Sequence, residues 1–338
     1  MNITIFTMAP HIGCSYYRGN GVMPYLSRID PSIRVRYIEK MEWHLLIDTD
    51  ILYIERPVHP QYFEAIKIAK DFGVPVWADI DDNYFEIPKY NEVPFRMFMN
   101  DPCHQRTARA LQMADFVTVT TEELRQFYRK INPQTWIVPN AFNDYNYKLR
   151  YCFSDKKVVN WRGSDTHRGD LESVRKEIWK NSHKKKDWVW SFIGGGDSLW
   201  ETTDGLYPGE GLGGKYLTQP FMRVTDYMRY FYELNPSIQV NPLVDNNFNR
   251  GKSNCSWIEA TYAGAVVVGP DFPEWRKPGI KNYVGADGFA QALDELQDNP
   301  ELRKDMYGKS LDYINENLLL SKVNEKRVEI AHKIAERG

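Results

Sequence analysis

Only four cysteines stand in the 338 residues, Cys14, Cys103, Cys152 and Cys255, and none belongs to a C-x-x-C pair. Their scarcity and spacing argue against a zinc site and a disulfide framework, and fit a reducing, cytoplasmic setting. Net charge is almost absent as well, because 43 basic side chains face 45 acidic ones. No whole-molecule field draws such a chain to nucleic acid or to an anionic membrane, so any anion must be gripped locally. Nowhere do about 18 apolar residues follow one another, so no segment reads as a membrane-spanning helix and no stable membrane insertion is expected. Residues 1–9 are apolar but lack a basic flank and meet Pro10, so they read as a first strand rather than a leader. Internal repeats and low-complexity tracts are also lacking.

What is present points to an α/β protein. With 42% hydrophobic and 14% aromatic residues the chain has ample core material, and its length suits about two domains of roughly 150 residues. Short apolar runs at 3–6, 35–38, 51–54, 74–77, 116–119 and 136–138 alternate with helical patterns such as 61–72. That alternation predicts βαβ crossovers and a doubly wound parallel sheet. The polar, Tyr- and Asn-rich segment 140–157 reads as a linker, after which strands are expected at 158–161, 189–193, 238–240 and 265–268. The second of these runs into Gly194, Gly195 and Gly196, a turn that lets backbone approach a ligand closely. From 300 onward the pattern is helical.

Four stretches carry chemistry. In 241–269, NPLVDNNFNRGKSNCSWIEATYAGAVVVG, a polar loop leads into a helix, a glycine turn and a buried strand. Lys252 and Ser253 fall at the helix entrance, where an ammonium, a hydroxyl and unpaired backbone N–H groups suit a diphosphate. Glu259 follows Lys252 by seven residues, about two turns on one face, and offers a carboxylate to a ribose diol. On spacing alone both residues equally suit a solvated helix surface. In 159–171, VNWRGSDTHRGDL, Arg162, Gly163, Ser164 and Arg168 offer donors to phosphate, while His167 and Arg168 also fit a plain helix start. In 74–88, VPVWADIDDNYFEIP, Asp79, Asp81 and Asp82 cluster at a strand's C-terminal end, where doubly wound sheets bind ligands. A helix cap and turn is the plainer account. In 10–24, PHIGCSYYRGNGVMP, Gly13 permits close backbone approach, Tyr17 and Arg18 are candidate contacts, and His11 reads as a turn residue.

The 241–269 stretch resembles the donor-binding signature of GT-B fold, retaining nucleotide-sugar glycosyltransferases of the family 4-like group. The match is carried by Phe248, Asn249, Lys252, Ser253, Glu259, Ala263, Gly264, Val267 and Val268. The segments 114–121, ADFVTVTT, and 136–141, WIVPNA, are similar to those closing the first domain of that group. The resemblance implies two Rossmann-like domains, 1–150 for the acceptor and 151–310 for the donor, with 311–338 returning to the first. It implies that Lys252 and Ser253, with Arg162, Gly163, Ser164 and Gly13, hold the donor diphosphate and that Glu259 holds the ribose. Where relatives carry a sugar-contacting glutamate this chain has Gly251, which shifts that contact to Asp245, Asn246 or backbone amides.

The resulting expectation is a cytoplasmic, metal-independent, retaining transferase that needs no cofactor beyond its nucleotide-sugar donor, UDP favoured. Asp81, Asp82 and Lys252 are the catalytic candidates, and Tyr17, Arg18 and Asp79 the acceptor contacts. The acceptor expected is a hydroxyl on a glycan or lipid. A hydroxymethylated DNA base is the alternative, for which the basic run 183–186 with Trp188 and Trp190, plus Arg18, Arg96, Arg106 and Arg109, would supply a groove. Two rivals come from other classes: a metal-dependent GT-A-like enzyme using the Asp cluster, and a non-catalytic nucleotide-sugar or glycan binder. Oligomeric state is left open.

Overall fold

A computed structural model describes residues 1–10, 12–195, 211–214 and 216–336, so His11 and Gly196 lie outside the described residues. Twelve described strands form two six-stranded sheets. The first contains β1 (Asn2–Phe6), β2 (Arg34–Ile38), β3 (Ile51–Glu55), β4 (Val76–Asp79), β5 (Phe116–Val119) and β6 (Thr135–Ile137), in the order β2-β1-β3-β4-β5-β6. The second contains β7 (Val158–Arg162), β8 (Val189–Ile193), β9 (Tyr216–Gln219), β10 (Ile238–Val240), β11 (Val266–Pro270) and β12 (Ile280–Tyr283), in the order β12-β11-β10-β7-β8-β9. Every pairing is parallel. Parallel strands need helical crossovers, which cover both faces and explain why the inner strands are nearly continuous apolar runs.

Three departures from the sequence pattern have physical reasons. β4 starts two residues later than its apolar run, because Pro75 has no N–H for the ladder and contributes only its carbonyl, to Leu52. β9 and β12 were not anticipated. Both are edge strands, and the Tyr216–Gln219 strand is largely exposed, so neither carries the signature of burial.

The helix Pro300–Asn317 stays with the second domain, where Tyr307 and Leu311 enter its core. The return to the first domain is made after it, by the helix Leu320–Ala335. Its Leu320, Val323, Ile330, Ala331 and Ile334 pack among Ile3, Ile5, Leu26, Tyr53 and Trp77. At the crossing point Phe142 of the linker bridges Leu319, with hydrogen bonds from Phe142 N to Leu318 O and from Leu320 N to Phe142 O. The two crossings thus run side by side.

At the end of β3, Glu55 is 1% exposed and accepts a hydrogen bond from Ser15 Oγ at 3.0 Å, while its Oε2 has no partner. Burial is the largest influence on its carboxyl and pushes it up to about 7, against the lowering effects of Arg56 and Ser15. An unfolded glutamate ionises near ~4.3, so the folded chain holds an extra proton between those values. Stability from this group is therefore full at the acidic end of that window and lost as pH rises through about 7. Glu55→Gln should flatten the fall in thermal stability between about pH 5 and pH 8, and raise stability at the upper end by up to roughly 3 kcal/mol. A variant with the parent's slope in thermal melts would refute this assignment.

Candidate functional site

Doubly wound sheets bind ligands outside the carboxyl ends of their strands, at the point where strand order reverses. In the second sheet that point lies between β7 and β10, whose ends deliver Arg162 and Asn241; in the first it lies between β1 and β3. A cavity of about 440 Å³ opens between these two edges. Its wall takes Gly13, Cys14, Tyr17, Asp81, Asp82 and Asn140 from the first domain. From the second it takes Arg162, Gly163, Ser164, Lys252, Ser253, Cys255 and Glu259, among others. Gly194 shapes the floor at φ +90, where a Cβ would sit 2.3 Å from the Gly163 carbonyl oxygen, so the two loops approach as only glycine allows.

Glu259 lies on the helix Cys255–Tyr262 and is 3% exposed. Its Oε1 accepts from Tyr17 OH at 2.6 Å and its Oε2 from Tyr227 OH at 3.1 Å, while Arg162 Nη2, which donates to Cys255 Sγ at 3.2 Å, forms an ion pair with Oε2 at 2.8 Å. Two of a carboxylate's roughly four acceptor sites are thereby used, which leaves room for a further donor. Burial opposes charge on Arg162, yet Glu259 holds that guanidinium firmly protonated. Burial first, and Glu259 second, push the Tyr17 and Tyr227 hydroxyls up, so both stay neutral donors. Lys252 precedes the helix instead of sharing its face with Glu259, and its ammonium reaches across the cavity to Asp82 at 2.9 Å. It also lies 4.5 Å from the centroid of the Phe248 ring. Burial works against its charge, and Asp82 outweighs burial.

The domains touch at further points beside the cavity. Asn140 Nδ2 donates to Ser253 Oγ at 2.9 Å, and Thr121 Oγ1 to the Gly251 carbonyl at 3.1 Å. A Cβ on Gly251 would meet Leu124 Cδ2 at 2.9 Å, so a glutamate at this position would push into the first domain. Tyr90 of the first domain donates to Asp170 at 2.9 Å and accepts from Asn246 and Asn249.

Three expected site residues lie elsewhere. Arg18 and Asp79 are each 2% exposed and form a forked ion pair, Nε to Oδ1 at 2.9 Å and Nη2 to Oδ2 at 2.7 Å. Neither lines the cavity, so neither is placed to touch an acceptor. Arg18 also donates to Val138 O and to Asn140 Oδ1, which makes it the support of the Asn140–Ser253 contact. Asn246 caps the short helix Asn247–Arg250 through a bond from Asn249 N, and it too is off the cavity wall. With Asp79 paired to Arg18 and Asp82 to Lys252, the three aspartates do not converge; among the described residues no group of three or more His, Cys, Asp or Glu forms a metal-ligand set. The basic run is no groove either: Lys184 and Lys185 pair with Asp294 and Asp298, while Trp188 and Trp190 sit in the second core. Arg168 is exposed and off the cavity, which His167 lines.

Tyr227, Cys255 and Ser256 line the cavity without having been anticipated. Tyr227 belongs to the helix Val224–Leu234, whose buried Tyr227, Met228 and Phe231 look like any apolar stripe. Cys255 and Ser256 come one residue after Lys252 and Ser253, beyond Asn254, and their place at the helix entrance was the available signal.

Two parallel, doubly wound domains facing one cleft and joined by a returning C-terminal helix define the GT-B architecture, and the chain has that fold. No family model and no curated protein matches the sequence. Solved structures do. The chain is similar to an alpha-glucosyltransferase in complex with UDP and a 13-mer DNA containing a HMU base, at 11% identity and TM-score 0.64, covering 98% of this chain and 99% of that one. It is similar to sucrose-phosphate synthase from Thermosynechococcus elongatus at 10% identity and TM-score 0.71, with both chains covered in full at 100%. A third is S. aureus TarM, in complex with Fondaparinux, alpha-GlcNAc-glycerol and UDP, at 13% identity and TM-score 0.58 over 86% of this chain and 58% of that one.

Removing one member of a buried ion pair leaves an uncompensated charge, at about 3–5 kcal/mol. Asp79→Ala should therefore cost about that much in denaturant unfolding, far beyond a surface change. A loss under about 1 kcal/mol would show that the pair does not hold the domain together.

Proposed function

We propose that the protein transfers a sugar from a nucleotide diphosphate sugar, a UDP-sugar foremost, to an acceptor hydroxyl with retained anomeric configuration. The observation that carries this reading is the interdomain cavity. One wall presents Arg162, Lys252 and Ser253 beside Glu259, and the other presents Asp81 and Asp82. The nucleotides named with the similar structures, UDP and UDP-glucose, support it. The molecules bound beside the nucleotide differ, DNA in one and Fondaparinux with alpha-GlcNAc-glycerol in another, so no acceptor carries over from them.

On this reading Lys252, Ser253 and the first amides of the helix Cys255–Tyr262 receive the donor diphosphate, and a remaining acceptor site of Glu259 receives a ribose hydroxyl. As the bond to the sugar breaks, negative charge gathers on the leaving diphosphate, and Lys252 and Arg162 stabilise it in a water-poor cleft. This role needs no metal ion. Lys252 must leave Asp82 to reach the diphosphate, and that exchange turns the Asp82 carboxylate toward sugar and acceptor as a hydrogen-bond acceptor. Burial, the largest influence, raises the Asp82 carboxyl, so losing its ammonium partner favours proton uptake from the attacking hydroxyl. With Gly251 closed against Leu124, sugar contacts come from the first domain and from backbone.

Two variants test the reading. Lys252→Ala should weaken UDP binding about tenfold or more by calorimetric titration, an effect of about 1.4 kcal/mol or above. Unchanged affinity would sink the donor assignment. Asp82→Asn removes the competitor for Lys252, so UDP should bind at least as tightly while sugar transfer falls by about 100-fold or more; transfer at the parent's rate would take Asp82 out of the chemistry.

A further inference from the structure

His167 lines the interdomain cavity and has no part in the transfer reading, although it is the one histidine on that wall among the described residues. It stands in the turn Asp165–His167, just past the end of β7, with its Nδ1 3.0 Å from Asp170 Oδ2. Asp170 is 1% exposed, and its Oδ1 accepts from Asn249 Nδ2 at 2.7 Å, Tyr90 OH at 2.9 Å and Val244 N at 3.0 Å. Three donors on one oxygen hold the carboxylate in its acceptor-only form. The Nδ1 of His167 therefore carries the proton between the two side chains. Nε2, the second ring nitrogen, is left without a hydrogen-bond partner among the described residues, on a ring that faces the cavity.

Tyr90 ties this arrangement to the first domain. It comes from the loop after β4 that also carries Asp81 and Asp82, and its ring lies so near the turn that a Cβ on Gly169 would sit 2.4 Å from Tyr90 Cδ2. Its hydroxyl accepts from Asn246 Nδ2 and Asn249 Nδ2, which commits its own proton to Asp170. The charged groups about the imidazole are few. Asp170 holds one nitrogen, Asp165 and Arg168 beside it in the chain are exposed, and Asp82 with Lys252 lines the same cavity. Burial first raises the Asp82 carboxyl, Lys252 lowers it, and a positive charge on His167 lowers it as well. Asp82 and His167 thus sense each other's charge, and the charged form of each favours that of the other.

We propose that His167 is a catalytic residue that receives, through Nε2, the proton Asp82 takes from the attacking hydroxyl, with Asp170 as its positioning residue. This deepens the transfer reading and rests on it for the hydroxyl and the leaving diphosphate. The acceptor oxygen forms its bond to the sugar carbon and gives its proton to Asp82, while the electron pair of the broken sugar–oxygen bond leaves on the diphosphate. The proton then passes from the Asp82 carboxyl to Nε2, directly or through one water. Asp170 offsets the charge of the imidazolium so formed, the part a carboxylate plays behind a catalytic imidazole. With its side chain 27% exposed, the ring also reaches solvent. Release of the proton there returns Asp82 to its basic form. Tyr90 reaches Asp170 from the first domain, so contact between the domains completes the set.

The test reads the ring nitrogens of His167 by NMR on isotope-labelled protein at about pH 7, with UDP as the probe and the signal identified by its absence in His167→Gln. The ligand-free parent should show the neutral ring protonated on Nδ1. Asp170→Asn, certified as folded by its melting temperature, should lose that signature, and an unchanged tautomer would take Asp170 out of its role. Freeing Asp82 from its ammonium should raise the protonated fraction of His167 about twofold or more, both in ligand-free Lys252→Ala and in the parent saturated with UDP. Neither rise should remain once Asp82→Asn is added. A rise that survives Asp82→Asn would overturn the relay, because His167 would then be answering the nucleotide or the lost lysine directly; no rise in Lys252→Ala would overturn it too. These variants decide the matter even where Asp170→Asn does not fold. Release of UDP from UDP-glucose should fall about tenfold or more in His167→Gln with KM unchanged, and the parent's rate in that variant would refute the catalytic role. If UDP does not bind the parent, the donor reading falls, while ligand-free Lys252→Ala compared with its Asp82→Asn double variant still shows whether Asp82 and His167 share a proton.

Discussion

The buried ion pair between Arg18 and Asp79 is the contact on which both the first domain and its meeting with the second depend. Two charges taken out of water cost more than their attraction returns unless every remaining donor and acceptor is satisfied. That condition decides the neighbours. Asp79 accepts a third bond from Thr118 Oγ1 at 2.6 Å, and the Arg18 carbonyl accepts from Tyr53 OH at 2.8 Å. Val138 O and Asn140 Oδ1 take the remaining guanidinium donor. The helix after β1 is thereby tied to β3, β4, β5 and the exit from β6, and Asn140 is turned so that its amide reaches Ser253. The returning helix supplies an exception, a guanidinium whose Nη2 is buried without a partner. Its Arg327 is buried close by, and burial, then the charge of Arg18, push that guanidinium down to about 9.

The same rule, that a buried charge must be matched, orders the cavity. Arg162 is matched by Glu259 and Lys252 by Asp82. The second match crosses between domains, as does the bond from Tyr17 to Glu259. On the proposed reading, the lysine that a donor diphosphate would claim is thus already engaged across the cleft, and it helps to hold the domains in contact. Opening of the cleft and exchange of partners are for that reason coupled events, each made cheaper by the other.

How much of this was legible beforehand varies by element and by physical cause. β7, β8 and β10 were readable because buried parallel strands are short β-branched runs with few other meanings. β9 escaped because a half-exposed edge strand has no apolar run to show. Lys252, Ser253 and Glu259 were singled out through a motif and all line the cavity, whereas spacing alone put Lys252 on one helix face with Glu259, and the helix begins only at Cys255. Asp79 turns inward for a different reason: the last residue of a strand points to the crevice or into the core according to register, and a single sequence does not carry that choice; Arg18, at the end of the helix Gly13–Arg18, follows it inward as its partner. Asn246 was overruled by its own capping preference, an account available from the start.

Near-neutrality is the remaining link between sequence and site. A chain with 43 basic and 45 acidic side chains cannot draw an anionic ligand by its overall field. On the proposed reading it holds one in part by exchanging internal partners, and that exchange has a chemical consequence. When a diphosphate takes Lys252 from Asp82, a carboxylate is released at the moment the leaving group gains its counter-charge. The acceptor hydroxyl meets a base whose basicity rises as the donor binds, and that base keeps its ammonium partner while the donor site is empty. On the proposed reading, ion-pair exchange therefore makes base activation conditional on donor binding, which favours donor before acceptor and limits idle reaction with water.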